Sequence, residues 1–338
     1  MSLSKELLKV ENLKVTYNTY AGQVQAVRGV SFSLDKGETL ALVGESGCGK
    51  SVTARSIMQL VHEPGKIVEG SKILFEGKNV AEYDQKELAA FRGKDAAIIF
   101  QDAMASLNPT MTVGKQIVEN ILHHNKVSKK EAKARAVDLL NKVGINNPEQ
   151  RFKQYPHELS GGMRQRVMIA IAFANDPKLL IADEPTTALD VTIQDQIIEL
   201  IRKLKDERDA SIILITHDLG VVAGIADRVA VMYGGVIVES GSASDIFYHA
   251  KHPYTKALHD AVPRVDEVSG KELVSIAGAP PDLINPPAGC PFNTRCKYCM
   301  NICKKEVPPT MKFGEGHEAA CFLHVLDGLP EDAAFLKD

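Results

Sequence analysis

The period of the hydrophobic pattern changes several times along the chain. Up to about residue 35, apolar and polar positions alternate, for example over Leu8–Tyr17 and Val30–Leu34, which predicts a small antiparallel sheet. Later segments are short continuous apolar runs that predict buried strands: Leu40–Val43, Ile98–Phe100, Leu179–Ala182 and Ile212–Thr216. Segments with apolar residues at helical spacing lie between these runs. Strands that alternate with helices predict an α/β fold with a parallel sheet covered on both faces.

Two long segments depart from this alternation. Residues from about 103 to 175 contain no convincing strand, and a capping box, Ser128–Glu131, begins a helix that we expect to end at Gly144. We interpret residues 103–175 as a helical subdomain inserted into the α/β core. From about residue 256 the sequence becomes rich in Pro, Gly and Cys. The predicted organisation is one domain over residues 1–255 and a small C-terminal extension over residues 256–338.

Composition and charge exclude several classes of function. The 338 residues are 44% hydrophobic and 25% charged, which is typical of a soluble globular protein. A net charge of −3 creates no basic field, so we expect no nucleic acid partner. Met1–Glu6 lack the apolar core of a secretory signal, and the longest apolar runs are too short to cross a bilayer. Any role at a membrane is therefore expected to come through a partner protein.

A glycine-rich segment, Gly44–Ser51, follows a predicted strand and precedes a predicted helix, which is the context of a phosphate-binding P-loop. Its backbone N–H groups would surround the phosphates, Lys50 would neutralise the β- and γ-phosphates, and Ser51 would bind Mg²⁺. A chance glycine-rich turn is the alternative, which this context disfavours. Cys48 is interpreted first as a small spacer residue, and the alternative is a reactive thiol whose pKa the helix N-terminus lowers. The predicted ATP contacts here are Gly44, Glu45, Ser46, Gly47, Cys48, Gly49, Lys50, Ser51 and Val52.

A second segment, Lys178–Glu184, is an apolar strand that ends in two acidic residues, the Walker B pattern. A carboxylate at the carboxyl end of a strand can reach a metal ion in the crevice of the sheet. We assign Asp183 to Mg²⁺ and Glu184 to polarising the attacking water. The alternative is an acidic turn that leads into Pro185, and the companion P-loop makes it less favoured.

The third segment is Leu159–Gly162, in which Ser160 is a good helix N-cap and the helix start is a second anion site. Alone it could be an ordinary capped helix. Together with the P-loop and Asp183–Glu184, it resembles the ABC ATPase family, whose signature is Leu-Ser-Gly-Gly. The resemblance implies a P-loop NTPase of ABC type, with an antiparallel β subdomain and an inserted helical subdomain, that hydrolyses ATP with Mg²⁺.

The family's other elements occur in the expected order. Gln101 matches the Q-loop glutamine, which the family uses as a Mg²⁺ ligand. Ala188–Asp190 matches the D-loop, and His217 matches the switch histidine that contacts the γ-phosphate. Tyr17 occupies the position of an aromatic that contacts adenine, with Tyr20 as an alternative. Val52 departs from the family, where many members have Thr, and this removes one hydroxyl contact. The resemblance implies catalytic roles for Glu184, His217 and Gln101, and Mg²⁺ binding by Ser51, Gln101 and Asp183.

The family's mechanism implies a head-to-tail pair of ATPase domains with ATP between them. The P-loop of one subunit then faces Ser160, Gly161, Gly162 and Asp190 of the other. The helical segment after Gln101 is implied to touch the membrane subunits. Relatives in chromosome maintenance have long coiled coils between the P-loop and the signature, whereas this chain has only about a hundred residues between Ser51 and the signature. Relatives at ribosomes have two ATPase cassettes in one chain, whereas this chain has one. These non-transport classes are therefore disfavoured.

The C-terminal part is more specific. His252–Thr255, Gly278–Asp282 and Pro287–Cys296 resemble the oligopeptide and dipeptide permease ATPases. The resemblance implies peptide import, a second homologous ATPase subunit in a heterodimer, two transmembrane permease subunits and an extracellular peptide-binding protein. It also implies a peripheral location on the cytoplasmic face of the membrane. The alternatives are the same motor serving another solute, such as nickel or a glycoside, or a stand-alone soluble ATPase.

Five of the six cysteines lie between Cys290 and Cys321, and in a reducing compartment such a cluster indicates a metal site before disulfides. The spacing resembles the permease subfamily's four-cysteine pattern, which implies a 4Fe-4S cluster bound by Cys290, Cys296, Cys303 and Cys321. The additional Cys299 forms a Cys-x₂-Cys pair with Cys296 that could equally begin a Zn2+ site. Thiolates suit both metals, and free thiols are a third alternative.

Overall fold

The computed structural model describes residues 5–187, 189–261 and 276–325. Its strands are β1 Glu6–Thr19, β2 Gly22–Asp35, β3 Thr39–Val43, β4 Gly65–Ile67, β5 Lys72–Phe75, β6 Lys78–Asn79, β7 Ala96–Ile99, β8 Leu179–Asp183, β9 Ser211–Thr216, β10 Arg228–Tyr233, β11 Val236–Ser242, β12 Thr310–Lys312 and β13 Glu318–Ala320. Its helices are α1 Lys50–Ile57, α2 Gln85–Ala90, α3 Ala103–Ser106, α4 Val113–His124, α5 Lys129–Lys142, α6 Pro148–Arg151, α7 Gly161–Ala172, α8 Val191–Arg208, α9 Leu219–Ile225, α10 Ala243–Tyr248, α11 Pro253–Asp260 and α12 Phe322–Val325.

Contacts between residues group the chain into two compact units, each made of segments that are separated in sequence. The first unit lies within residues 1–8, 34–39 and 75–215. The second unit lies within residues 9–33, 40–74 and 216–338. We describe each unit by itself.

The first unit contains three adjacent parallel strands, β7, β8 and β9. Leu179 is the register partner of Ala96 on one side and of Ser211 on the other. Every residue of β8 and β9 is buried, which explains their continuous apolar sequences, because strands of a covered parallel sheet have no solvent-facing side. Strand β7 begins two residues earlier than Ile98 and ends before Phe100. The other two predicted strands of this unit agree with β8 and β9 to within one residue.

Between β7 and β8 the chain is helical, as the pattern predicts for residues 103–175. The Ser128 hydroxyl accepts the Glu131 N–H at 3.2 Å, and α5 ends at Lys142, two residues before Gly144 with its positive φ of 75°. One side of α5 is buried against α4 and α7 through alanines and leucines, namely Ala132, Ala136, Leu139 and Leu140. This amphipathic packing holds α7, the helix that follows the signature, against its neighbours.

The second unit contains a sheet in which β3 pairs in parallel with β10, Leu40 opposite Arg228. Strand β10 pairs antiparallel with β11, which in turn pairs antiparallel with β13, and β13 pairs with β12. The last two strands come from the C-terminal extension, and the sequence did not predict them. Strands β1 and β4 pair antiparallel in a second sheet, with Tyr17 opposite Gly65.

The core of the second unit is built around three aromatic side chains, Tyr233, Tyr254 and Phe292. The ring centroid of Tyr254 lies 4.5 Å from that of Tyr233 and 5.3 Å from that of Phe292. Cys290 and Cys303 are buried in the same core. Burial of one such aromatic side chain contributes roughly 2–3 kcal/mol. Residues of the C-terminal extension thus share one hydrophobic core with the strand that leads to the P-loop.

Candidate nucleotide-binding and hydrolysis site

The loop between β3 and α1 has the strand–loop–helix form that a P-loop requires. Two glycines make this path possible. At Gly44, with φ of 152°, a Cβ atom would lie 2.2 Å from the Met232 carbonyl oxygen. At Gly49, with φ of 104°, it would lie 2.5 Å from the Ala26 carbonyl oxygen. Both distances are far below van der Waals contact. Any larger residue at either position would therefore push the loop away from the neighbouring strands β10 and β2.

Lys50 is only 4% exposed, and its ammonium group is held by the loop itself. It donates to the carbonyl oxygens of Gly44 at 2.7 Å and Glu45 at 3.0 Å. Its third contact is a long one, to the Cys48 sulfur at 3.8 Å. A thiol sulfur is a weak acceptor, so a phosphate oxygen could replace it while Lys50 keeps both contacts to the loop. The arrangement places a positive charge at the N-terminus of α1, where the helix dipole also favours an anion.

The hydroxyl groups after Lys50 are not interchangeable. Ser51 lies in the first turn of α1, where it can bind Mg²⁺. Val52 has no hydroxyl, and the next residue does not replace it, because the Thr53 hydroxyl donates to the Gly49 carbonyl oxygen at 2.9 Å. The contact that Val52 removes is therefore not restored by its neighbour.

The expected lowering of the Cys48 thiol pKa is wrong. Its side chain is buried, with 5% exposure, and this burial raises the pKa of the thiol. The nearby charge of Lys50 opposes the effect but is the smaller cause. Cys48 is thus a neutral, enclosed residue of the loop, because loss of hydration outweighs the favourable helix terminus.

In the first unit, the end of β8 positions Asp183 and Glu184. Asp183 is 2% exposed. Glu184 has a positive φ of 47°, and its N–H donates to the Ile215 carbonyl oxygen at 2.9 Å. This left-handed conformation costs roughly 1–2 kcal/mol for a residue other than glycine. Left-handed residues of this kind are enriched at functional sites, and here the conformation sets the direction in which the Glu184 side chain leaves the end of β8.

The Glu184 carboxylate is bound by two donors. Its Oε2 atom accepts from the Gln101 amide at 2.8 Å and from the Thr187 hydroxyl at 2.9 Å. The structure therefore brings together two predicted site residues that are 83 positions apart in sequence. Sequence reasoning missed Thr187, although a hydroxyl three residues after a candidate base is a signal that could have identified it. An oriented carboxylate of this kind can accept a proton from an attacking water.

The signature segment begins α7 as the sequence predicts. The Ser160 hydroxyl accepts the Met163 N–H at 3.3 Å, so Ser160 is the N-cap. Gly161 is exposed and a Cβ there would meet no heavy atom closer than 4.0 Å, so the helix start is open to a ligand or partner. Asp190 is exposed at the N-cap position of α8, whereas Ala188 lies outside the described residues.

Tyr17 and His217 belong to the second unit. The Tyr17 ring covers Gly65, where a Cβ atom would lie 2.5 Å from the ring. Tyr17 is thereby packed on one face, while Tyr20 is fully exposed, so Tyr17 is the better platform for a base. His217 follows directly after β9 and is exposed. The structure thus groups the P-loop, Tyr17 and His217 in one unit, and Gln101, Asp183, Glu184 and the signature in the other.

The five C-terminal cysteines form no disulfide within the described residues, and their side chains lie close to one another in the second unit. Burial raises the pKa of Cys290 to about 12, and the neighbouring thiols of Cys303, Cys321 and Cys296 act in the same direction. Burial likewise raises the pKa of Cys321 to about 11. Within the described residues, no group of three or more His, Cys, Asp or Glu side chains is arranged to hold a metal ion.

Comparison with known proteins identifies the family to which this chain belongs. Residues 27–187 match the ABC transporter family, and residues 238–303 match the C-terminal region of oligopeptide/dipeptide transporters. The chain is 56% identical to an oligopeptide transport ATP-binding protein of Bacillus subtilis, over 94% of this chain and 88% of that protein. It belongs to the ATP-binding subunits of oligopeptide and dipeptide ABC transporters. The resemblance stated from the motifs is confirmed.

A second relative and a solved structure are also similar to this chain. A dipeptide transport ATP-binding protein of Bacillus subtilis is 54% identical over 94% of this chain and 95% of its own length. Among solved structures, the cassette MJ0796 in a post-hydrolysis dimer bound to ADP and Pi gives a TM-score of 0.63 at 27% identity, covering 70% of this chain and 99% of that one. The ABC ATPase cassette fold, with mixed sheets and helices, and an ATP-hydrolysing enzyme are thus established. Across residues 5–187, 189–261 and 276–325, no helix has both the length and the apolar character needed to span a bilayer.

Proposed function

We propose that this ABC ATPase energises the import of oligopeptides or dipeptides through partner membrane subunits. The observation that carries the proposal is the identity of 56% and 54% to oligopeptide and dipeptide transport ATP-binding proteins over nearly the whole chain. The partners are a second homologous ATPase subunit, two transmembrane permease subunits and an extracellular peptide-binding protein. The chain acts peripherally at the cytoplasmic face of the membrane. Nickel or a glycoside is the alternative cargo, because specificity resides in the other subunits.

The roles within the site follow from its chemistry and from the family. Ser51, Gln101 and Asp183 bind Mg²⁺, and the P-loop with Tyr17 binds ATP. Glu184 activates the water, and His217 contacts the γ-phosphate. Two observations support this assignment: the hydrogen bonds that orient Glu184, and the enclosed ammonium group of Lys50.

The second ATP-binding surface acts in the partner ATPase subunit's site. Ser160, Gly161, Gly162 and Asp190 would face the P-loop of that subunit, so that ATP closes the pair and hydrolysis reopens it. The open start of α7 at the exposed Gly161 supports this role. For the domain division we propose an ATPase domain at 1–255 with a helical subdomain at 103–175, and an extension at 256–338.

The experiment that tests the transport function is purification of the chain from membranes, with identification of every protein that accompanies it. We expect two membrane subunits, a second ATPase subunit and a peptide-binding protein. A nickel- or glycoside-binding protein in the complex would reassign the cargo. Full ATPase activity and normal localisation without any membrane partner would contradict the transport function.

For the cysteine cluster we propose a 4Fe-4S cluster bound by Cys290, Cys296, Cys303 and Cys321. The four thiols lie near enough to interact with one another, and Cys290 and Cys303 are buried in the core of the second unit with Cys296 packed against it. A tetrahedral zinc ion, with Zn–S bonds of about 2.3 Å, brings its sulfur atoms within about 4 Å of one another. In a four-iron cluster each thiolate would bind a different iron, so the four sulfur atoms could lie further apart than around one zinc ion. When bound, the cluster would cross-link the extension.

Serine substitutions distinguish the ligands from the extra cysteine. Cys303→Ser is expected to abolish iron binding, because one of four ligands is lost, whereas Cys299→Ser should retain about four irons per chain. The measurement is anaerobic purification with an absorption spectrum and analysis of iron, sulfide and zinc. A colourless wild-type protein with stoichiometric zinc would contradict the cluster, and the opposite outcome of the two variants would show that the ligand set is wrong.

A further inference from the structure

The side chain of Glu45, the second residue of the P-loop, points toward the C-terminal extension. Its carboxylate receives both terminal nitrogens of Arg295: Nη1 donates to Oε2 at 2.5 Å and Nη2 to Oε1 at 2.9 Å. The Arg295 side chain is 3% exposed and that of Glu45 is 25% exposed. A two-pronged, largely buried arginine–carboxylate pair is among the stronger and more directional polar contacts in proteins.

The orientation of Arg295 is fixed by further contacts. Its Nε donates to the Ala277 carbonyl oxygen at 2.9 Å, and Nη2 to the Ile276 carbonyl oxygen at 3.0 Å. Nη1 also donates to the Tyr233 hydroxyl at 3.2 Å. The guanidinium group therefore has few alternative positions, and it holds Glu45 in one place.

The backbone of Glu45 is fixed at both of its polar groups. Its N–H donates to the Tyr254 hydroxyl at 2.9 Å, and Tyr254 is fully buried. Its carbonyl oxygen accepts from the Lys50 ammonium at 3.0 Å. One residue thus connects Arg295 in the extension to the lysine that would neutralise the phosphates.

We propose that Arg295 is a positioning residue for ATP binding. It contacts no reacting atom; it holds Glu45 so that the P-loop keeps its N–H groups and Lys50 in the geometry that receives phosphates. Loss of Arg295 leaves a partly buried carboxylate without its partner, which favours rearrangement of the loop. The inference rests on the ATP site proposed above.

The position of Arg295 also connects ATP binding to the cysteine segment. Arg295 lies in the turn between Cys290 and Cys296, where its N–H and that of Cys296 both donate to the Phe292 carbonyl oxygen, at 3.1 and 3.0 Å. A change in the fold of this turn would move the guanidinium group. The extension therefore acts on nucleotide affinity through Arg295 without entering the nucleotide site.

The test is the affinity for MgATP, measured by equilibrium binding and as KM for ATP with the full complex. Arg295→Ala is expected to raise both the dissociation constant for MgATP and the KM for ATP about tenfold, a change of 1.4 kcal/mol in binding free energy. Its kcat at saturating ATP should stay within about twofold of the wild-type value. Lys297→Ala is the matched control, since Lys297 is an exposed cation two residues further on, and it should change neither. Arg295→Lys should bind MgATP more tightly than Arg295→Ala because it keeps the positive charge. It should still bind more weakly than the wild type, because an ammonium group cannot make the paired contact with the Glu45 carboxylate.

A double variant separates positioning from a general loss of structure. If Arg295 acts through Glu45, the double variant Glu45→Gln with Arg295→Ala should bind MgATP no more weakly than the weaker single variant. Additive losses, or a fall in kcat with unchanged KM, would overturn the proposal. Should Arg295→Ala fail to fold, Arg295→Lys and Glu45→Gln must each weaken MgATP binding, and wild-type affinity in both would overturn it. A wild-type chain that binds no MgATP would instead refute the proposed ATP site.

Discussion

The Glu184→Gln variant is expected to bind MgATP normally and to hydrolyse it about 10²- to 10⁴-fold more slowly than the wild type, the range of general-base catalysis. Glutamine keeps the shape of the side chain and can still contact Gln101 and Thr187. It cannot accept a proton from water. The measurement is single-turnover ATP hydrolysis in the assembled complex, together with equilibrium binding of MgATP.

The matched control is Glu207→Gln, the same substitution at an exposed position of α8. It should leave both hydrolysis and binding unchanged. Wild-type hydrolysis by Glu184→Gln in the assembled transporter would show that another group activates the water. A loss of MgATP binding in that variant would assign Glu184 to binding instead of chemistry.

Lys50→Ala should weaken MgATP binding by about 100-fold, because the variant loses charge-assisted hydrogen bonds of about 1.5–3 kcal/mol each. It also removes the ammonium donor from the carbonyl oxygens of Gly44 and Glu45, so the loop itself loses two hydrogen bonds. Titration with a fluorescent ATP analogue in the presence of Mg²⁺ measures the effect.

Lys203→Ala, at an exposed lysine of α8, is the control for a change of charge and should bind MgATP like the wild type. Unchanged affinity in Lys50→Ala would contradict the P-loop assignment. Comparison with Glu184→Gln is informative, since the two variants should separate binding from chemistry: one loses affinity, and the other loses turnover.

Local patterns predict the local structure at two places in the candidate site. Ser160 was identified as an N-cap because capping depends on residues three positions apart, and the P-loop was identified because Gly44 and Gly49 mark a path that only glycine can follow. Strands β8 and β9 were predicted closely because continuous apolar runs have few other structures available.

What the sequence could not predict depends on contacts between distant positions. Glu45 and Arg295 are 250 residues apart, and nothing near either residue indicates its partner. The pKa of Cys48 depends on how deeply the surrounding chain encloses the thiol, a property that its neighbours in sequence do not reveal. Thr187 acts on Glu184 only because the backbone turns into a left-handed conformation at that residue.

The hairpin of β12 and β13 determines which strand lies at the margin of the sheet in the second unit. Strand β11 is covered by β13, with Glu239 opposite Ala319, and the outermost strand is the three-residue β12, which carries Lys312. Short, charged outer strands resist pairing with other molecules. A chain cut at residue 255 would lose β13 and leave β11 without its partner strand at Glu239 and Ser240. We expect the chain cut at residue 255 to aggregate more readily than the full chain, because part of this sheet edge would be unpaired.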